Sequence, residues 1–198
     1  MKHWMLLLLG SLFFPVMAQA TALHPELLLS GIIQKKATEK GGDEIYLAIT
    51  EFKSNGEHHQ YLIPEPPMYW PSSSLAHIKN LSLWKQPLKP GESEELLVSL
   101  VEQDLAPWDV DDLIGAVKIK IKNEKGHLNY EWSLLQYGHL TSAMKKPIRN
   151  QAKVSFSLKG DTGEYQLMFH LMEQKKASGK KVALYEVPWQ WKVQKKVA

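Results

Sequence analysis

Residues 98–122 read VSLVEQDLAPWDVDDLIGAVKIKIK and place Asp104, Asp109, Asp111 and Asp112 between two strand-like runs, Val98 to Glu102 and Leu113 to Lys122. Four carboxylates crowded at one sheet tip repel each other, and a hard cation is the simplest species that offsets the repulsion. Calcium takes six to eight oxygens and accepts carboxylates from flexible loops. Asp104 and Asp112 are expected to face each other across the base of this loop, with Asp109 reaching in from the apex. Asp111 is expected to point outward or to cap the turn. Plain turn chemistry is the competing reading, because Asp is a favoured turn residue and acidic loops are commonly solvated.

A second acidic pair, Asp43-Glu44, follows Gly41-Gly42 and precedes another strand-like run. If both loops share one end of the fold, their carboxylates converge on one ion. Pro107 and Trp108 lie at the apex of the first loop, where a large aromatic side chain needs something to touch. Other chemistry is scarce. His58-His59 cannot easily chelate one metal, because adjacent strand residues point to opposite faces. His139 and His170 are isolated, and Ser72-Ser73-Ser74 lacks a nucleophile elbow. No phosphate loop, zinc spacing or dinucleotide fingerprint occurs.

The elements that must position these residues are strands. Val117, Ile119 and Ile121 alternate with Lys118, Lys120 and Lys122, a period of two. The same alternation runs through Ile45, Leu47 and Ile49, through Leu128, Tyr130, Trp132 and Leu134, and through Val187, Trp189, Trp191 and Val193. Residues 152–172 read as a hairpin about Gly160-Asp161-Thr162-Gly163. Further turns fall at Gly41-Gly42, Asn55-Gly56, Pro90-Gly91, Lys125-Gly126 and Ser178-Gly179. Four prolines keep 64–74 irregular, and Lys175 to Lys181 reads as an exposed basic loop. No helical stripe with caps is visible. The expected fold class is all-β, a two-sheet antiparallel β-sandwich.

Lys2, an apolar run from Trp4 to Met17 and Ala18-Gln19-Ala20 have the order of a secretory signal peptide cleaved after Ala20. The run is short of the about 20 residues of a membrane span. The chain is therefore expected to be exported, periplasmic or secreted, with 21–198 forming one domain. With no Cys there is neither a disulfide nor a lipid-bearing N-terminal Cys. A net charge of +3 is too small to argue for a nucleic-acid partner.

Asp104 to Gly115, ending Asp112-Leu113-Ile114-Gly115, resembles the third calcium loop of C2 domains, the calcium-dependent membrane-binding sandwiches. Asp43-Glu44-Ile45-Tyr46 resembles their first calcium loop. The resemblance spans residues 27–135 and is carried by 96–118. It implies a C2-like sandwich with Asp104 and Asp112 as calcium ligands and Asp109 as an occasional one. Either Asp43 or Glu44 joins them, depending on whether the alignment is anchored on the acidic residue or on Tyr46. Ala106 stands where the family carries a second Asp, which implies a single ion. The resemblance also implies that Trp108 enters the lipid interface, a position that suits an amphipathic ring. It places Lys118, Lys120 and Lys122 against anionic headgroups, where on composition alone they read as a solvated exterior.

The functional expectation is a non-catalytic binding module that takes calcium through its acidic loops and contacts a membrane surface or a protein partner. Two other readings stay open. One is a hydrolase using the acidic loop for a metal or a general base. The other is a metal-free envelope protein that binds a partner through its sheet edges.

Overall fold

The computed structural model describes residues 21–37, 43–103, 111–135 and 146–174. The expected signal peptide, Asp104, Trp108, Asp109, the 187–193 alternation and the basic stretch from Lys175 lie outside them.

The chain folds as two antiparallel sheets packed face to face. The smaller sheet has the order β10-β11-β1-β5, formed by Lys153–Lys159, Gly163–Glu173, Pro25–Ala37 and Leu81–Lys85. The larger has the order β3-β2-β6-β7-β8-β9, formed by His58–Ile63, Glu44–Lys53, Ser93–Glu102, Asp112–Glu124, His127–Leu135 and Ile148–Arg149. The short β4, Trp70–Pro71, also pairs with β2. A two-sheet antiparallel β-sandwich is thus the architecture of the described residues.

Period-two burial explains the layers. Ile45, Leu47 and Ile49 of β2, Leu96, Val98 and Leu100 of β6, and Val117, Ile119 and Ile121 of β7 are all buried on the inner side. Leu27, Leu29, Tyr165, Leu167 and Phe169 oppose them from the smaller sheet. Each fully buried aliphatic of this kind contributes about 1.5–3 kcal/mol relative to exposure. Trp132 of β8 is fully buried and lies 6.2 Å from Phe156 of β10 and 5.8 Å from Phe169 of β11, which ties the layers together at their centre. Two polar groups reach across as well. Trp84 Nε1 of β5 donates to the buried Glu51 of β2 at 2.8 Å, and the Tyr61 hydroxyl donates to the Leu83 carbonyl at 2.7 Å.

The 152–172 hairpin forms as expected, with Val154 opposite Phe169 and Phe156 opposite Leu167. The proline-rich stretch holds more structure than its composition predicts. Pro71 has no N–H to give β2, and the next residue supplies one: Ser72 N donates to the Asp43 carbonyl at 2.9 Å. A 3₁₀ turn follows over Ser72–His77 and buries Leu75.

Candidate functional site

The edge of the larger sheet formed by the start of β2, the end of β6 and the start of β7 brings the two acidic segments together. Ile45 pairs with Glu102, and Glu102 pairs with Asp112. Residues 43–44 and 111–112, far apart in sequence, therefore occupy one end of one sheet. The Gln103 N–H fastens this end by donating to the Glu44 carbonyl at 2.7 Å.

Strand parity sorts the carboxylates between two faces. Directly paired residues share a face, and successive residues alternate. Ile45 is in the core, so Glu102 and Asp112 stand on the inner side, with Asp43 two residues before Ile45 on the same side. Glu44, Tyr46 and Asp111 take the outer side. A bulge at Ile114 sets this arrangement: Leu100 pairs with Gly115 but Val101 pairs with Leu113. The β10–β11 turn packs on that bulge so closely that a Cβ added to Gly160 would stand 2.8 Å from the Ile114 Cα.

On the inner side Asp43 is 1% exposed. Its Oδ2 accepts from Gln34 Nε2 at 2.6 Å and from the Tyr165 hydroxyl, both on the smaller sheet. Its Oδ1 is buried without a hydrogen-bond partner. Glu102 is 3% exposed. Burial first, then the hydrogen bond to Asp43 and its charge, push the Tyr165 hydroxyl far above the usual phenol range; Gln34 opposes the shift and the Glu102 charge adds to it. Two acidic side chains, Asp43 and Glu102, are therefore buried together with Tyr165 at this end of the core.

On the outer side the Tyr46 hydroxyl donates to Asp111 Oδ2 at 2.7 Å. Burial, followed by that hydrogen bond and the Asp111 charge, raises the Tyr46 hydroxyl well above its ordinary value. Tyr69 packs on Tyr46 with ring centroids 5.8 Å apart. Asp111 thus points outward, as one of its two expected roles had it. Glu44 and Asp112 are exposed at the rim. Among the described residues, no three His, Cys, Asp or Glu side chains are gathered closely enough to hold a metal ion. Two of the sequence-derived ligands, Asp104 and Asp109, lie outside the described residues.

Lys118, Lys120 and Lys122 line the outer face of β7, because their neighbours Val117, Ile119 and Ile121 are buried. Acids are interleaved with them. Lys118 Nζ lies 3.4 Å from Glu95, and Lys122 Nζ lies 2.5 Å from Glu124. Lys120 is cross-strand from Glu95 on one side and Glu131 on the other.

Sequence reasoning passed over Glu102, Gln34 and Tyr165. Glu102 ends the run Val98 to Glu102, and only the pairing with Ile45 shows that it turns inward. Nothing local links Tyr165 to Asp43, which is 122 positions away.

The residues so far define an all-β sandwich with a carboxylate-rich end. No protein-family model matches the chain, and no curated protein is recognisably similar to it.

Proposed function

We propose that the chain is an exported, non-catalytic binding module of C2-like type that takes one calcium ion at the acidic end of its larger sheet and contacts a membrane surface through the adjoining loop. The observation that carries this reading is the convergence of 43–46 with 102 and 111–112 at one sheet end. Asp112, Asp104 and Asp109, together with Asp43 or Glu44, are the proposed oxygen donors, and Trp108 is the proposed contact. Calcium supplies the positive charge that several carboxylates at one tip otherwise lack. Extracellular modules of this kind hold calcium at about 10⁻⁴–10⁻³ M, so a site in a calcium-rich compartment stays mostly filled and clamps the loops.

The ion-paired state of Lys118 and Lys122 favours Trp108 over the β7 lysines as the principal contact. Flotation of the protein with phosphatidylserine-containing vesicles tests the reading. Calcium-dependent flotation that is lost with chelator and in Trp108→Ala supports membrane contact. Equal flotation by variant and wild type, with or without calcium, removes it and leaves a protein partner as the alternative.

A further inference from the structure

We propose that the outer edge of β10 pairs with the same edge of a second copy of this chain, giving a weak two-fold dimer in which the two smaller sheets join as one. The inference is independent of calcium and concerns a different edge of the sandwich.

The smaller sheet ends at β10, which among the described residues pairs with β11 alone. Two bonds fix which of its backbone groups turn outward. Leu171 N donates to the Ala152 carbonyl at 2.8 Å, and Gly160 N donates to the Gly163 carbonyl at 3.1 Å. The register between them is unbroken. In an antiparallel ladder each residue directs its N–H and C=O to the same side, and successive residues alternate. Val154, Phe156 and Leu158 therefore bond to β11, and the N–H and C=O of Ser155 and Ser157 point away from the sheet. Such a row of outward groups is a template for another strand.

The sequence of the edge names its occupant. Lys153-Val154-Ser155-Phe156-Ser157-Leu158-Lys159 reads nearly the same in both directions about Phe156. A two-fold axis normal to the sheet beside Phe156 sets Phe156 against its symmetry mate, Val154 against the second copy's Leu158, and Ser155 against the second copy's Ser157. Each apolar residue of the inner face then meets an apolar one, and each serine meets a serine. Bonding parity agrees. Phe156 spends its backbone groups on β11 and falls at a non-bonded position, while Ser155 and the second copy's Ser157 exchange both bonds. A one-residue slip would turn one copy's apolar face to solvent. Val154 and Phe156, 6% and 7% exposed, are the least covered buried members of the core cluster, and both lie on this strand. Lys153 meets the second copy's Lys159 at each end, but Lys159 is already ion-paired with Glu164 at 3.1 Å. The 7 residues of β10 fall far short of the roughly 20–30 a side of a standard interface, so the association is weak and reversible.

The chain has no Cys, so introduced cysteines report the pairing directly. Ser155→Cys and Ser157→Cys, both at exposed positions, are purified separately and oxidised alone and as an equimolar mixture. The expected result is a disulfide-linked dimer formed at least about fivefold faster in the mixture than in either variant alone, because a bonded pair holds its Cα atoms about 5.5 Å apart and same-residue pairs lie farther apart. Sedimentation velocity of the wild type is expected to show a concentration-dependent monomer–dimer equilibrium that tightens as salt screens the lysines. Ser157→Pro removes an outward N–H, leaves the β11 bonds in place and is expected to abolish the dimer. Near-UV circular dichroism establishes that Ser157→Pro keeps its packing; if it does not, the cysteine mixture alone decides. A wild type that stays monomeric up to millimolar concentration, or cross-linking no faster in the mixture than in the single variants, overturns the proposal and leaves the edge to a strand of a different protein.

Discussion

The Tyr46 hydroxyl and the Asp111 carboxylate are joined by a 2.7 Å hydrogen bond that closes the acidic end of the larger sheet from the outside. The bond ties the start of β2 to the residue just before β7. Tyr46→Phe keeps the ring packing on Tyr69 and deletes only this bond. The expected loss is about 0.5–1.5 kcal/mol, read as a lower urea midpoint at unchanged slope.

The inner counterpart costs more to break. Tyr165→Phe withdraws a hydroxyl from the buried Asp43 and leaves that carboxylate with Gln34 as its remaining described partner. A destabilisation of about 1.5–3 kcal/mol is expected, since the bond is to a buried acid. Urea denaturation in chelator measures it, and a loss smaller than that of Tyr46→Phe would contradict the account of this end.

Glycine substitutions separate close backbone approach from mere crowding. A methyl at Gly31 meets the flexible Met168 Cε at 2.7 Å, whereas one at Gly160 meets the Ile114 backbone at 2.8 Å. Met168 can swing aside and the β7 bulge cannot. Gly160→Ala is therefore expected to lower the melting temperature clearly more than Gly31→Ala, by thermal denaturation of both.

The opposite end of the sandwich has its own pH dependence. Burial, then the nearby Glu51 charge, raise Glu94 to about 6, with Lys53 opposing and Glu92 adding. A raised carboxyl pKa means that the folded state holds this proton more tightly than the unfolded chain. Glu94 therefore costs stability above pH 6, and the cost is relieved as pH falls from about 6 toward its ordinary 4.5. Glu94→Gln should be more stable than wild type at pH 7.5, with the difference shrinking by pH 5. A difference that grows toward pH 5, measured by urea denaturation across that range, contradicts this assignment.

Legibility in the sequence followed the simplicity of the burial pattern. β7 was readable because lysines alternate with aliphatics, and the 152–172 hairpin because turn residues divide two alternating runs. β1 was not, although it lies inside the smaller sheet. Its run Leu27-Leu28-Leu29 carries no alternation, and register shifts at Leu29/Gly31 and Gln34/Lys36 interrupt the period. β5 is only five residues, and its buried Trp84 finds its hydrogen-bond partner, Glu51, across the sandwich rather than nearby in sequence. For the candidate site, the acidic residue types were legible, whereas the shared sheet end stood only as a condition on sequence and is seen in the pairing of Ile45 with Glu102 and of Glu102 with Asp112. The face each carboxylate takes was not, because it follows from the pairing of Ile45 with Glu102 and from the bulge at Ile114. That is why Asp43 and Glu44 were equivalent on sequence and are not so in the fold.

The central claim is that the carboxylates at this end hold a calcium ion. Isothermal titration of calcium into the purified protein tests it most directly. The account predicts saturable binding of one ion with a dissociation constant of about 10⁻⁴–10⁻³ M, abolished in Asp112→Ala. No binding heat at millimolar calcium, together with a melting temperature indifferent to chelator, would contradict it.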